Sequence, residues 1–387
     1  MRYALPLLVT GVLALEMLSI SPAAEVEPLL KALRAVGPEG AGHREAAEAW
    51  RQLSQVDAAE LPTLLAALDG ANPLAANWIR TAVDTIAQRQ VARGGKLPAA
   101  ELERFLLDRQ HAPRARRLAY EWLLRADPGA AERLIPGMLD DPSLEMRRDA
   151  VARLVDEASR LSDPGQKGRA VELDRRALAA ARDIDQIRFL ADRLRRLGQP
   201  IDLARQFGFL VCWRLIGPFD NTDGHGYDTA YPPEKNVDFT AECAGKHGPV
   251  RWVEYTTKDE NGQVDLNRGL GEEKSVVGYA AAEFFSAGRQ EVEFRASTFN
   301  AVKLWLNGTL IGQHHVYHGG SQMDQYVSQA TLNPGRNLIL VKLCQNAQTQ
   351  DWARYWGFQL RVCDRGGGAV LSTDRQEKDH SATLRGP

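Results

Sequence analysis

The sequence predicts a protein of two parts, an α-helical N-terminal part followed by an antiparallel β-sandwich. Aromatic residues mark the change, because five of the eight Trp, seven of the nine Tyr and nine of the eleven Phe lie from Phe207 onward. The earlier part is rich in Ala, Leu, Arg and Glu, which favour helices. The later part places Val, Ile, Thr and aromatic residues between Gly, Asn and Asp turns, a pattern typical of strands. A length of 387 residues suits two or three domains of roughly 150 residues each.

The composition excludes several classes of protein. Hydrophobic residues make up 44% of the chain and charged residues 25%, which excludes a wholly disordered chain and a polytopic membrane protein. Forty-eight Lys and Arg face fifty Asp and Glu, a net charge of -2. This balance argues against a nucleic-acid partner bound through bulk charge.

Residues 1–24 are predicted to be a signal peptide. Arg2 provides a positive start, residues 4–15 are almost entirely apolar, and small residues at 21–24 suit cleavage. A membrane span is the weaker alternative, because Glu16 interrupts a stretch already shorter than roughly 20 residues. We therefore expect a periplasmic or extracellular protein with no membrane span in the mature chain.

Residues 25–206 are predicted to form pairs of helices. Apolar residues recur four positions apart, as at Ile79, Val83 and Ala87, so each set lies on one helix face. The second helix of each pair is preceded by a proline at 73, 113 or 142, and proline suits the first helical position. Two further helices are predicted at 167–182 and 184–197.

The pairs over residues 40–162 resemble HEAT repeats, in which proline opens the second helix and Arg and Ala follow. Asp141-Pro142 with Arg147 and Ala150 is the best match. The resemblance implies a stacked α-solenoid that serves as a scaffold. The prolines are 40 and then 29 residues apart, so the repeat is irregular. A plain helical bundle buries the same apolar stripes and stays an alternative.

Residues 207–363 are predicted to form the β-sandwich. Several segments alternate apolar and polar residues, for example Val292, Phe294 and Ala296. Asn307-Gly308 is a strong two-residue hairpin signal, because both turn positions need a positive φ. The candidate strands are 209–216, 250–255, 276–284, 291–297, 301–306, 310–313, 326–332, 337–345 and 357–363.

Two motifs here resemble the galactose-binding-like jelly roll, the sugar-binding domain of β-galactosidase-type hydrolases. One is the strand 302–306 with its Asn307-Gly308 hairpin, and the other is the turn at 333–337, Asn-Pro-Gly-Arg-Asn, before an apolar strand. The resemblance covers about 270–363 and implies a jelly roll over the whole domain. It implies less about function, because this fold also serves as a spacer or a protein-binding module. The tail at 364–387 has few apolar residues and is predicted to be disordered.

The candidate ligand-binding residues are aromatic and polar side chains in two segments of the sandwich. Flat rings stack on sugars, and neighbouring polar groups pair with hydroxyls. The competing interpretation is that these rings fill the core, which is the expected fate of Trp356. The candidates are Trp352, Arg354 and Tyr355 in one segment, and Tyr317, His318 and Tyr326 in the other.

Metal and disulfide sites are weaker predictions. Jelly rolls of this family often hold a structural Ca²⁺, for which the loop oxygens of Asp220, Asn221, Asp223 and Asp228 are candidates. Their spacing departs from the calcium-loop pattern, and such residues also form ordinary turns. His314, His315 and His318 lie near Asp324, but adjacent residues of an extended chain point to opposite faces, which favours a polar loop.

The four cysteines allow three complete disulfide pairings. Cys212 and Cys363 lie on the first and last candidate strands, which often run side by side in jelly rolls. The resemblance therefore makes them the preferred pair.

No motif identifies a reaction. Paired carboxylates in a recognisable pattern, a G-x-S-x-G elbow and a phosphate-binding glycine loop are absent from the sequence. The leading interpretation is a secreted, non-catalytic binding protein. In it a helical-repeat scaffold carries a jelly roll that binds carbohydrate or a cell-envelope protein. The alternatives are a structural cell-envelope spacer and a carbohydrate hydrolase with an unrecognised site between the domains.

Overall fold

The computed structural model describes residues 22–161 and 163–375. The chain divides into two units, one up to Ala150 and one from Val151 onward. The signal peptide predicted for residues 1–24 lies outside the described residues, except for 22–24, where the first helix begins. Within the described ranges, no helix is both long and apolar enough to cross a membrane.

The described part of the first unit is built from helices, the last of which, Leu144–Ser159, continues past Ala150 into the second unit. Two of the predicted pairs are present, since α3 (Leu61–Ala66) packs on α4 (Pro73–Ala92) and α5 (Ala99–Leu107) packs on α6 (Pro113–Ala126); α1 (Pro22–Arg34) also packs on α2 (His43–Leu53), a pair that the sequence did not predict. Proline occupies the first position of α4 and of α6, as the sequence indicated. The helices are α1 Pro22–Arg34, α2 His43–Leu53, α3 Leu61–Ala66, α4 Pro73–Ala92, α5 Ala99–Leu107, α6 Pro113–Ala126, α7 Ala130–Leu134 and α8 Leu144–Ser159.

Helix α8 begins two residues later than its proline predicts, because Asp141 has another partner. The fully buried Asp141 carboxylate accepts two hydrogen bonds from the equally buried Arg116, at 2.9 and 2.7 Å. Ser143 caps α8 instead, and its Oγ accepts the Met146 N–H at 3.4 Å. A residue that looked like a helix cap therefore joins α6 to the segment before α8.

The second unit contains the remaining helices and every strand found within the described residues. This division groups α9 to α11 with the sandwich, whereas the sequence grouped them with the helix pairs. The helices are α9 Lys167–Ala180, α10 Ile184–Arg196, α11 Leu203–Phe207, α12 Pro232–Lys235 and α13 Leu266–Leu270. The strands are β1 Cys212–Asp220, β2 Glu242–Ala244, β3 Pro249–Arg251, β4 Val253–Thr256, β5 Val264–Asp265, β6 Val276–Ser286, β7 Gln290–Thr298, β8 Ala301–Leu306, β9 Thr309–His314, β10 Tyr326–Leu332, β11 Gly335–Gln345 and β12 Gly357–Cys363.

Two antiparallel sheets enclose the main core, which confirms the predicted order of helices followed by a β-sandwich. One sheet has six strands in the order β4-β1-β6-β11-β8-β9, and the other has four in the order β10-β7-β12-β5. Leu304 and Val341 of the first sheet share a buried cluster with Phe294 and Leu360 of the second. The turn between β8 and β9 is the predicted Asn307-Gly308 pair, with φ of 51° and 80°.

A further layer covers the outer face of the six-stranded sheet, and the sequence did not predict it. The segment 221–252, which contains α12, β2 and β3, packs on this face, and we call it the cover segment. Its Tyr227 and Cys243 join a second buried cluster with Phe219, Tyr279 and Cys344 of the sheet. The central strands of this sheet are therefore buried on both faces.

The expected disorder of 364–387 differs from the structure over 364–375. Gly367, with a φ of 80°, allows a tight turn in which Asp364 Oδ1 accepts the N–H groups of Gly366 and Gly368, each at 2.8 Å. The chain then returns beside β12, where the Val370 N–H donates to the Val362 oxygen at 2.9 Å. Residues 376–387 lie outside the described ranges.

The predicted Cys212–Cys363 disulfide is not formed, and all four cysteines are free thiols. Cys212 lies on β1 of the six-stranded sheet and Cys363 on β12 of the four-stranded sheet, so the first and last strands are not neighbours in one sheet. Burial raises the pKa of Cys344 to about 12 and that of Cys363 to about 11, which keeps both thiols protonated.

We expect a fragment of residues 163–375 to be more stable than a fragment of 207–366. The shorter one loses the Ala204 oxygen, which accepts the Phe209 N–H at 2.8 Å, and the Ser372 Oγ, which accepts the Phe285 N–H at 2.8 Å. It also loses Val370 from the core. Thermal unfolding followed by circular dichroism compares the two, and equal midpoints would contradict the expectation.

Candidate functional site

The segment between β11 and β12 crosses from one sheet to the other at one end of the sandwich. It carries Trp352 on a short turn at Asp351–Ala353. Ala353 is fully buried, and its oxygen accepts from Lys274 Nζ at 2.7 Å and from Gln345 Nε2 at 3.0 Å. Trp356 is fully buried in the core, as predicted. The segment is therefore anchored beside the indole of Trp352, which is nonetheless 60% exposed.

Two buried side-chain amides pair with each other at this end of the sandwich. Asn300 and Gln345 are fully buried, and Asn300 Nδ2 donates to Gln345 Oε1 at 3.2 Å. Asn300 Oδ1 accepts the N–H of Gly357, the first residue of β12, at 3.0 Å. These side chains hold the ends of β11 and β12 in a fixed relation, because buried amides are costly to leave unpaired.

The loop between β9 and β10 reaches the same place. His318 lies on it with a φ of 57°, and its N–H donates to the Phe299 oxygen at 2.6 Å. Its ring centre is 4.8 Å from that of Trp352, with the two rings at 88°. The His318 Nε2 faces Asn346 Nδ2 at 3.1 Å. The structure thus joins Trp352 and His318, which the sequence placed in two separate groups.

The other predicted ligand-binding residues differ in their surroundings. Arg354 is exposed and pairs with Asp351 at 3.1 Å. The hydroxyl of Tyr355 donates to Gln263 Oε1, and burial raises its pKa, so this side chain packs inside the protein and anchors the segment between β11 and β12. Tyr317 accepts from Asn221 Nδ2 at 3.2 Å, and burial raises its pKa too.

Tyr326 belongs to another place. It lies on β10 and stacks on His314, with ring centres 3.7 Å apart. Burial raises the pKa of Tyr326 and lowers that of His314. This stacked pair packs at the edge of the sandwich, and no described contact connects it with Trp352.

The sequence did not identify the side-chain amides of Asn346 and Gln348, the first of which contacts His318. Asn346 Nδ2 donates to Gln348 Oε1 at 2.8 Å, and the Gln348 N–H donates to Asn346 Oδ1 at 3.1 Å. The only sequence signal was the polar run that follows the apolar strand ending at Gln345. Trp352, His318, Asn346, Gln348 and Arg354 together are called the Trp352 surface below.

The calcium candidates do not converge. Asp220 Oδ1 accepts from Thr222 Oγ1 at 2.7 Å and faces Lys246 Nζ at 3.3 Å, so a cation already occupies its neighbourhood. Asp228 faces Lys303 at 3.4 Å, and Asn221 donates to the Gln345 oxygen at 3.0 Å. Asp223 is exposed.

The histidines diverge as well. His315 stacks on Tyr227, with ring centres 4.0 Å apart, while His314 and His318 contact Tyr326 and Trp352. Within residues 22–161 and 163–375, no three His, Cys, Asp or Glu side chains form a group that could hold a metal ion.

No protein-family model matches the chain, and no curated protein matches it. Solved structures with a coarse likeness include glycosidases and a carbohydrate-binding module. A β-glucosidase from Kluyveromyces marxianus in complex with glucose is 16% identical with a TM-score of 0.22, over 34% of this chain and 16% of that one. The β-glucuronidase of Faecalibacterium prausnitzii is 20% identical with a TM-score of 0.24, over 36% and 21%.

A family 35 carbohydrate binding module from Clostridium thermocellum is 15% identical with a TM-score of 0.18, over 23% of this chain and 71% of that one. The matched region spans about a fifth of the length of the two enzymes. At these scores the likeness assigns the chain to no family.

Proposed function

We propose that this chain is an exported, non-catalytic binding protein whose sandwich binds carbohydrate at the Trp352 surface. The observation that carries the proposal is the 60% exposed indole of Trp352 on an anchored turn. The exposed indole presents a flat apolar face, and covering that face with the apolar surface of a partner is favourable. The anchored Ala353 beside it prevents the turn from folding the ring into the core.

The surroundings of the indole favour a sugar. Sugars present apolar C–H faces that stack on flat rings, and hydroxyls that pair with amides. The imidazole of His318 lies beside Trp352, the amide of Asn346 contacts that imidazole, and Gln348 is bonded to Asn346, so these side chains provide both donors and acceptors. The helical first unit is proposed to act as a scaffold that places this surface.

The carboxylates at the surface favour binding without hydrolysis. Glycoside hydrolysis needs two carboxyl groups that face each other across the scissile bond. In the described part of the Trp352 surface, Asp351 is the adjoining carboxylate, and it is exposed and paired with Arg354. This arrangement supports a binding role.

We expect Trp352→Ala to weaken glycan binding by about 1–3 kcal/mol, the range for an aromatic anchor. A glycan array with the full chain identifies the ligand, and calorimetry compares the variants. Trp352→Phe should lose less, because it keeps a flat ring. Val327→Ala, which truncates a 51% exposed apolar side chain on β10, should bind as the parent does. If Trp352→Ala folds and binds as tightly as the parent, or the parent binds no glycan, the proposed function is wrong.

A further inference from the structure

We infer, on the basis of the proposed function, that the Trp352 surface holds a single uncharged sugar unit at the end of a glycan. The inference concerns the class of ligand. A surface that binds the interior of a polysaccharide needs a platform for each of several successive sugar rings. The number of exposed aromatic rings and the side chains that border them therefore decide between the end and the interior of a glycan. The charges at the surface decide whether the sugar is neutral or acidic.

The first step is the count of free rings. Among the described Trp, Tyr and Phe side chains of residues 207–375, Trp352 alone is exposed. Phe299 and Tyr355 contact each other edge to face at 6.0 Å, and the hydroxyls of Tyr355 and Tyr317 are held by Gln263 and Asn221. These rings support the loops and leave one platform, which is enough for one pyranose.

The second step is the wall beside that platform. The imidazole of His318 stands at 88° to the indole, with ring centres 4.8 Å apart. Two perpendicular rings form a corner, and a sugar whose face lies on the indole meets the imidazole at its edge. The hydrogen-bonding amides of Asn346 and Gln348 lie on the His318 side of the corner. A glycan can therefore extend away from His318 but not past it, which fits a chain end.

The third step is the charge at the surface. Arg354 is paired with Asp351 at 3.1 Å. The nearby Lys274 Nζ donates to the Ala353 oxygen of the anchored turn at 2.7 Å. The charge of Arg354 is balanced by that of Asp351 and Lys274 is partly buried against the turn, whereas recognition of a sugar carboxylate favours an exposed cation whose charge is not balanced. The ligand class is therefore a neutral terminal sugar.

Chain length tests the inference directly. Calorimetry with the full chain compares glucose, galactose, mannose and xylose with the matching cello-, galacto-, manno- and xylo-tetraoses. We expect the best monosaccharide and its tetraose to bind within about threefold of each other, with one site per chain. A tetraose that binds more than tenfold tighter would overturn the inference. If Trp352→Ala abolishes that tight binding, the proposed function stands; if no sugar binds, both fall.

Two further comparisons test the charge of the ligand and the role of the His318 ring. Glucuronic and galacturonic acid should bind no more tightly than glucose and galactose, and tenfold tighter binding would overturn the assignment to neutral sugars.

His318→Ala should weaken monosaccharide binding about tenfold, whereas His318→Phe keeps a perpendicular ring and should restore most of it. Because His318 acts beside the indole, the His318→Ala, Trp352→Ala double variant should bind no more weakly than Trp352→Ala alone. Additive losses would contradict the corner.

Discussion

Replacement of Asp324 by alanine is expected to lower the free energy of unfolding of the second unit by about 3–5 kcal/mol, the cost of leaving a buried charge unpaired. Arg361 is 2% exposed, and its Nε donates to Asp324 Oδ1 at 2.7 Å. Arg295 Nη1 donates to Asp324 Oδ2 at 2.9 Å. One carboxylate therefore serves two arginines.

The two arginines explain why the effect should be large. Arg295 on β7 and Arg361 on β12 are directly opposite each other in the four-stranded sheet, where like charges destabilise. Glu293 pairs with Arg295 at 2.7 Å, but Asp324 is the carboxylate that contacts both guanidinium groups. Arg361 also donates to the Phe207 oxygen at 3.2 Å, which connects α11 to this network.

The same network sets a pH dependence. Burial alone would raise the pKa of Asp324, but hydrogen bonds and charges from Arg361 and Arg295 hold it below its usual value. A depressed folded-state pKa means that the stabilisation is fully present above the unfolded pKa of about 3.9. It is lost as the pH falls through the lower folded-state pKa.

Denaturant titrations of the full chain at several pH values test both claims. The difference between the parent and Asp324→Ala should be constant near neutral pH and should shrink below about pH 4, where the unfolded carboxyl begins to protonate. Glu291→Ala is the control, because it breaks an exposed ion pair with Arg365 and should change stability little. An Asp324→Ala variant as stable as the parent at pH 7 would show that the arginines find other partners.

Local patterns in the sequence were sufficient for the fold class and for part of the site. The period of two along β7 identified the buried face of that strand, and Asn307-Gly308 identified the hairpin between β8 and β9, because both signals depend on neighbouring residues alone. The position of Trp356 directly before β12 also predicted that it lies in the core, unlike Trp352.

Contacts between distant residues were beyond the sequence. Asp324 looked like one polar residue of a histidine-rich loop, and nothing in the sequence links it with Arg361, 37 residues away. The corner of Trp352 and His318 joins two loops in the same way. The tail was expected to be disordered because it is polar, but its glycine turn brings Val370 back onto the core. In each case tertiary contacts, which a pattern of neighbours does not contain, decide the structure.

The second large effect is expected at the buried lysine beneath the cover segment. Lys342 lies on the central strand β11, and its side chain is fully buried. Its Nζ donates to Glu234 Oε1 at 2.7 Å and to the oxygens of Tyr227 and Thr229 at 3.0 and 2.8 Å. All three protons of the ammonium group are thus paired, and every acceptor lies in the cover segment.

Glu234 has a second donor in the same place. The hydroxyl of Tyr279 on β6 donates to Glu234 Oε1, and burial together with this carboxylate raises the pKa of that hydroxyl. Removal of Glu234 would therefore leave both a buried ammonium group without its counter-charge and a buried hydroxyl without its acceptor.

Glu234→Ala is expected to destabilise the second unit by about 3–5 kcal/mol, because it leaves the charge of Lys342 buried and unpaired. Glu234→Gln keeps an oxygen acceptor and should lose less. The decisive variant is Glu234→Leu with Lys342→Met, which removes both charges and should return to within about 2 kcal/mol of the parent, since apolar replacement of a buried pair is often neutral. Urea unfolding monitored by circular dichroism measures all three. If the double variant is as unstable as Glu234→Ala, the cost does not come from an orphaned charge but from the lost contacts themselves, which include those of the Tyr279 hydroxyl and of the Tyr227 and Thr229 oxygens.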